Sequence, residues 1–258
     1  MLDRIQLKRE AKEITRNAQV SAYLVALIYL VIVNVLSMID TYVSGSLVAD
    51  LQTLQLYYPE VQIQVPEFLL AAARIPGTVT VFVTVMVALL TAVLNAGWVL
   101  YHQGVRRGEV MGYGTLFDGF AFVGKVILLN LVISVFITLW TFALIIPGII
   151  ATYRYRFAVY NLCENPEMGV MEAMRMSSAQ TYGHKMDLFV LDLTFFGWEL
   201  LCSLTMGILS IWIAPYILQT NLGYFQQIKQ MKGIGWFPPQ EGADDTGFCG
   251  QDPFGPNA

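Results

Sequence analysis

The sequence predicts an all-α fold, a polytopic integral-membrane helical bundle with about six transmembrane helices and one cytoplasmic amphipathic helix. Two observations lead to this prediction. Of the 258 residues, 56% are hydrophobic and only 13% are charged, whereas soluble domains have about 25% charged residues. The mean hydropathy is +0.56. This number of charged side chains is too small to cover the surface of a soluble domain of this length. We therefore expect a lipid bilayer to surround part of the protein.

Six stretches of the chain are apolar enough to be considered as membrane spans. A helix needs about 20 residues to cross a hydrocarbon layer about 30 Å thick. The first three stretches carry no charge, the fourth and fifth contain ionisable residues, and the sixth becomes polar at Gln219. We expect a membrane domain over residues 20–230, with spans at 22–39, 79–100, 126–146, 149–163, 188–206 and 208–228.

The distribution of Lys and Arg predicts the orientation of these spans. With six spans, most of the 15 basic residues fall in the N-terminal leader, the second and fourth loops and the C-terminal tail, and the long first loop contains only Arg74. Cytoplasmic segments are enriched in Lys and Arg. We therefore expect both termini to be cytoplasmic in a bacterial-type cell (plasma) membrane. The first span should be retained, because no convincing signal-peptidase site follows it.

Two segments before the second span are predicted to lie outside the bilayer. Residues 1–19 place Leu7, Ala11 and Ile14 at helical spacing among charges, which predicts a cytoplasmic juxtamembrane helix, either solvated or a docking site for a partner. The loop at 40–78 is mildly acidic, and its prolines should interrupt any helix. We expect an irregular outer loop, which is either a connector or a cap over a cavity or partner.

The segments after the fourth and sixth spans have different characters. Asn165-Pro166-Glu167 has the order of an N-cap, a first-turn proline and a first-turn acid. We predict an amphipathic cytoplasmic helix at 166–182, either flat on the inner interface or a rigid connector. The tail at 231–258 is rich in Gly, Pro and Asp, which predicts disorder; its Trp236 and Phe237 could reach the interface.

Ionisable residues inside predicted spans are the strongest indication of a site, because they are costly in lipid unless paired or hydrated. Asp192 and Glu199 are seven residues apart and share one helix face. Arg154 and Arg156 are two residues apart, so only one of them easily meets that face. We therefore predict an Arg/Asp/Glu cluster between the fourth and fifth spans.

Two interpretations of this cluster remain open. It is either an internal staple that fixes helix packing, or a binding site for an anion or lipid headgroup, since Arg offers planar donors to phosphate or carboxylate. In the second case Tyr153, Tyr155 and Trp198 would form amphipathic walls. A further break at Pro147-Gly148 is either a hairpin turn or a hinge.

Several classes of function are excluded or disfavoured. The net charge of −4 argues against a nucleic-acid partner, and three Cys with two His make a metal site improbable. No nucleophile motif or metal motif occurs, so we predict no catalytic residue, no cofactor and no enzymatic activity. The expected function is binding or moving a small anionic or lipid-like ligand; the alternative is a structural or regulatory subunit. The expected partners are membrane lipids and a second protein or a second copy of the chain.

Several short motifs resemble a bacterial integral-membrane family catalogued as domain of unknown function 975. They are Leu116 to Phe120 with Lys125, Ile146 to Ile149 with Tyr153 to Tyr155, Asn165-Pro166, Ala173, Ser177, Gly183 to Lys185, Phe189 to Leu193, Trp198, Gly207 and Pro215-Tyr216. The resemblance implies a multi-pass helical membrane protein. The chain is also distantly similar to the membrane domain that accompanies some glycerophosphodiester phosphodiesterases.

Overall fold

A computed structural model describes residues 4–18, 21–58, 60, 65–72 and 75–237. The all-α prediction is confirmed, because this part of the chain contains helices and no strand. Arg74 and residues 238–258 of the predicted tail lie outside the described ranges. The helices are α1 Arg4–Asn17, α2 Ala22–Ser44, α3 Ser46–Tyr57, α4 Glu67–Ala72, α5 Gly77–Arg106, a 3-10 helix Tyr113–Phe122, α6 Val123–Ala143, α7 Ile145–Tyr155, α8 Ala158–Glu164, α9 Val170–Thr181, α10 Lys185–Leu204 and α11 Ser210–Lys232.

Three helical segments are long and apolar enough to cross a membrane. They are Ala22–Ser44, Gly77–Arg106 and the continuous run Tyr113–Phe142, in which the 3-10 helix leads into α6. Their apolar side chains are largely uncovered by protein, as at Phe82, which is 65% exposed. An apolar surface of this extent needs lipid or another protein to cover it. The fold is therefore that of a membrane-associated protein.

The part of the molecule formed by α1, the second half of α5, the 3-10 helix, α8, α9 and the second half of α11 is tightly packed, and we call it the inner end. The 3-10 helix lies directly on the second half of α5, and two glycines make this approach possible. A Cβ atom on Gly97 would lie 2.0 Å from the carbonyl oxygen of Leu116, and one on Gly119 would lie 2.5 Å from that of Val93. The same part of α5 also packs against α2, α8 and α11. Most of the apolar core lies at this end.

Helix α1 is part of the inner end. Leu7, Ala11 and Thr15, spaced four residues apart, form its buried stripe and pack mainly on α11. Lys8 Nζ donates a hydrogen bond of 2.8 Å to Thr194 Oγ1 in α10. The apolar face anticipated in the juxtamembrane segment is therefore covered by the chain itself.

The segment expected to be an irregular outer loop is largely helical. Helix α2 continues to Ser44, and one residue, Gly45, with φ of +64°, separates it from α3. The hydroxyl of Thr84 then donates a 2.6 Å hydrogen bond to Asp40 Oδ1 and links α5 to α2. Composition indicated an irregular loop, but a single left-handed glycine is enough to redirect a helix without ending helical structure.

The reversal between α6 and α7 lies at Leu144, whose backbone is extended, and not at Pro147-Gly148. Pro147 falls in the first turn of α7, where its missing N–H is tolerated. Gly148 instead permits close packing, because a Cβ there would lie 2.3 Å from Thr141 Oγ1. Helix α7 therefore folds back directly onto α6.

Two further boundaries differ from expectation. The predicted fourth span, 149–163, is divided between α7 and α8 by a turn at residues 156–157. The amphipathic helix expected at 166–182 is α9, which begins at Val170. Asn165 Oδ1 accepts the backbone N–H of Glu167, so the chain forms a turn before the helix. Glu172 Oε2 accepts the backbone N–H of Gly169 and caps the start of α9. At the chain's C-terminal side, Gln180 Nε2 donates to the carbonyl of Ile234, which ties the described start of the tail to α9.

Candidate functional site

The structure pairs one of the two predicted arginines with one of the two predicted carboxylates. The guanidinium of Arg156 contacts Asp192 in two places, through an Nη1 to Oδ2 hydrogen bond and through an Nη2 to Oδ1 hydrogen bond of 2.7 Å. Nη2 also donates to Asn221 Oδ1 at 3.2 Å. The Tyr153 hydroxyl donates to Asp192 Oδ2 at 3.0 Å. The pair is therefore bidentate and supported from two further positions.

The turn at residues 156–157 explains why Arg156, rather than Arg154, meets Asp192. Helix α7 ends at Tyr155, so the Arg156 side chain leaves the helix towards α10 and α11. Its guanidinium lies 5.7 Å from the ring centroid of Tyr153. The side chains of Arg156 and Asp192 are 21% and 35% exposed, so solvent or a headgroup region can still reach the pair.

Arg154 points to α9 instead. Its Nε donates a 2.7 Å hydrogen bond to Ser178 Oγ, and its guanidinium lies 5.7 Å from the ring centroid of Tyr155. Its carbonyl accepts hydrogen bonds from Ser177 Oγ at 2.9 Å and from Thr181 Oγ1 at 3.3 Å. The side chain is exposed, and in the described part of the chain its two Nη atoms donate no hydrogen bond. Arg154 is thus held in position by its Nε, and its Nη atoms are available to donate hydrogen bonds to a ligand.

Glu199 and Trp198 are not part of this arrangement. Both are exposed on α10, and seven residues place Glu199 about 10 Å further along the helix than Asp192. Among the described residues, Glu199 forms neither an ion pair nor a hydrogen bond. Asp192 and Glu199 both lie on α10, but Glu199 is too far along the helix to share the guanidinium of Arg156.

Asn221 was missed as a member of the site, although a signal was present. The sixth predicted span becomes polar at Gln219-Thr220-Asn221, and all three side chains are buried. Gln219 Nε2 donates to the carbonyl oxygen of His102 at 2.9 Å. Polar residues inside an apolar helix that contact other helices, rather than lipid, are expected to be hydrogen-bonded.

A second buried polar cluster joins α8, α9 and α11. Asn161 and Gln180 exchange reciprocal side-chain hydrogen bonds of 2.9 and 3.0 Å. Nearby, Lys229 Nζ donates to Glu164 Oε2 at 2.7 Å, with only 10% and 6% of the two side chains exposed. Burial raises the pKa of Glu164, and the hydrogen bond from Lys229 opposes this shift. These contacts hold α8, α9 and α11 together at the inner end.

The described residues contain no group of His, Cys, Asp and Glu side chains that could hold a metal ion. The chemistry available at the site is therefore that of guanidinium, carboxylate, amide and phenol groups. Such groups can bind an anion or pair with one another.

The fold and site together define an all-helical, membrane-associated protein with an intramolecular Arg–Asp pair near one end. Residues 142–232 match the family model described as Protein of unknown function (DUF975). The chain is similar to that family over this range, which contains α7 to α11 and both arginines. The resembling motif at residues 116–125 lies outside it. No curated protein matches the chain, and no solved structure matches it.

Proposed function

We propose that this protein is a multi-pass plasma-membrane protein that binds a small anionic or lipid-like ligand without catalysing a reaction. Six spans are proposed, with both termini cytoplasmic. In this proposal Arg154 holds the ligand, Tyr155 forms a wall, and the pair of Arg156 and Asp192 keeps α7, α10 and α11 in register. Glu199 and Trp198 are not required.

Contacts at the inner end support the six-span arrangement. The segments predicted to be cytoplasmic are connected there. Arg106 Nη2 lies 3.6 Å from Glu10 Oε2, and Arg106 Nε donates a hydrogen bond to Gln226 Oε1. Lys125 Nζ donates a hydrogen bond to the carbonyl of Pro166. Helices that alternate in direction would bring these segments to one face. Asp192 in α10 is paired, as a carboxylate within a span needs to be.

The observation that carries the binding proposal is that Arg154 is fixed through its Nε while its Nη atoms donate no hydrogen bond among the described residues. Ser178 fixes one edge of its guanidinium, Tyr155 lies beside it, and the Nη atoms remain available. A guanidinium fixed in this way can offer two parallel donors to a phosphate or carboxylate with little further loss of side-chain entropy. Arg156, by contrast, already uses its Nη donors on Asp192 and Asn221.

The experiment is native mass spectrometry of the full chain released from nanodiscs made with an anionic phospholipid and a zwitterionic one. We expect the wild type to retain an anionic species that Arg154→Gln loses. Arg175→Gln is the matched control, because Arg175 is also an exposed arginine, on α9. Adding inorganic phosphate to detergent-solubilised protein separates a free anion from a lipid headgroup. Equal retention by wild type and Arg154→Gln would refute the proposal.

The second candidate is a structural or regulatory subunit, and one feature of α9 favours it. Ala173, Met174 and Ser177 on one side of the helix are buried, while Met171 is 51% exposed on another. Glu172 and Arg175 are also exposed. This exposed face is free to meet a partner, whereas deleting the whole helix would also remove part of the core. Charge reversal by Arg175→Glu should abolish co-purification of a stoichiometric partner and leave the Arg154 ligand in place.

A further inference from the structure

A cleft at the inner end lies apart from both arginines of the proposed site. It has a volume of about 630 Å³ and is bounded by the end of α5, the 3-10 helix, the start of α6 and the turn that follows α8. Leu100, Phe122 and Val123 contribute to its apolar walls. The cleft lies near the inner end of α6, part of the membrane-length segment Tyr113–Phe142. In a bilayer, that is the depth of the lipid headgroups.

The charged groups in this cleft are only partly satisfied. Lys125 Nζ donates one hydrogen bond, of 2.5 Å, to the carbonyl of Pro166, and an ammonium carries three donors. Asp118 and Glu167 are exposed, and among the described residues neither carboxylate forms an ion pair. Arg107 is already occupied, with hydrogen bonds of 2.6 and 3.1 Å to Glu109. The cleft therefore offers one cation with spare donors and two carboxylates that have no cation.

A polar residue, Thr115, also belongs to the wall of the cleft. Thr115 is only 7% exposed, and within the described ranges its hydroxyl makes no hydrogen bond. A hydroxyl in the wall of the cleft can donate a hydrogen bond to a bound headgroup or accept one from it. The apolar walls beside it suit a short length of hydrocarbon.

We propose that this cleft binds an aminophospholipid, a lipid whose phosphate diester is followed by a primary ammonium. The phosphate accepts hydrogen bonds from Lys125, and the ammonium donates to Asp118 and Glu167. The first part of the acyl chains lies on Phe122 and Val123. A purely anionic headgroup would place negative charge beside two carboxylates, and a quaternary ammonium has no hydrogen to donate to them. Charge complementarity therefore selects the primary amine.

The experiment uses the full chain in nanodiscs that contain equal amounts of phosphatidylethanolamine, phosphatidylcholine and phosphatidylglycerol. Native mass spectrometry measures which headgroup is retained after release. We expect wild type to retain phosphatidylethanolamine, and the double variant Asp118→Asn/Glu167→Gln to retain about tenfold less, because charge-assisted hydrogen bonds are lost. Both carboxylates are exposed and unpaired among the described residues, so this variant should fold normally. Asp50→Asn/Glu60→Gln, two exposed acids on the segments between α2 and α5, is the matched control.

A second comparison tests the cation. Lys125→Gln should lose the lipid and Lys125→Arg should keep it, because arginine preserves the charge and the donor to the Pro166 carbonyl. Retention of phosphatidylcholine equal to that of phosphatidylethanolamine would overturn the proposal, as would normal retention by the carboxylate double variant. Arg154→Gln should leave phosphatidylethanolamine retention unchanged, so the two sites succeed or fail separately.

Discussion

The contribution of the Arg156–Asp192 pair to stability can be worked out from its contacts. Arg156→Gln removes the hydrogen bonds to Asp192 and Asn221 and leaves the carboxylate with only the Tyr153 hydroxyl. Breaking one side of a fully buried pair costs about 3 to 5 kcal/mol. The side chains here are 21% and 35% exposed, and solvent screening reduces the expected loss to about 2 kcal/mol.

That loss converts into a measurable shift of the thermal midpoint. For a chain of this length, 1 kcal/mol corresponds to about 2 to 4 °C, so Arg156→Gln should lower the Tm by about 4 to 8 °C. Differential scanning fluorimetry of the protein in one detergent at one lipid content measures the shift. Glu199→Gln, on the same helix as Asp192, is the control and should leave the Tm unchanged, because among the described residues Glu199 has no partner.

A double variant separates a staple from a mere coincidence of charges. Arg156→Met/Asp192→Leu removes both charges together, and such replacements of ion pairs are often nearly neutral. We expect it to be more stable than either single variant. The reasoning fails if Arg156→Gln melts like wild type, or if the double variant loses as much stability as the two single variants added together.

Two further predictions concern packing and pH. Gly148→Ala should lower the Tm because its Cβ would lie 2.3 Å from Thr141 Oγ1, at a cost of about 1 to 3 kcal/mol. Gly124→Ala, with open space around its Cβ, should leave the Tm unchanged, and equal melting of the two variants would contradict the close α6–α7 contact. Burial raises the pKa of Glu164 above its ordinary 4.5, so the folded state binds this proton more tightly than the unfolded state and stability falls as the pH rises from 4.5 through the raised pKa. A Tm titration should show this decline in wild type and a smaller one in Glu164→Gln, and identical slopes would show that burial does not control this carboxyl group.

The sequence was sufficient for those features that depend on composition and helical spacing. Charge-free apolar runs identified the three membrane-length helices. Arg156 and Asp192 were identified because ionisable residues are rare inside apolar runs and need a partner there. Whether Arg154 or Arg156 pairs with Asp192 depended on a turn at residues 156–157. No residue type at these positions predicts that turn. Turns of this kind are set by packing between helices that are distant in sequence.

Asn221 and the α6–α7 reversal show the same limit. Asn221 is 65 residues from Arg156, so its role follows only from the way α11 returns to the inner end. Pro147-Gly148 has the composition of a turn, but proline is tolerated in a first helical turn and glycine also serves close helix contacts. Local preference therefore allowed two outcomes, and the contact with Thr141 decided between them.

The packing of α1 on α11 has a consequence for the order in which the chain folds. A Cβ on Gly223 would lie 2.9 Å from Leu7 Cδ2, so α1 completes its contacts with a helix that is synthesised much later. At about 5 to 20 residues per second, the ribosome needs about 10 to 40 s to make the intervening chain. During that time the stripe of Leu7 and Ala11 has no native partner in α11. Truncations before α11 leave this apolar stripe uncovered, and we expect them to be degraded rapidly in the cell.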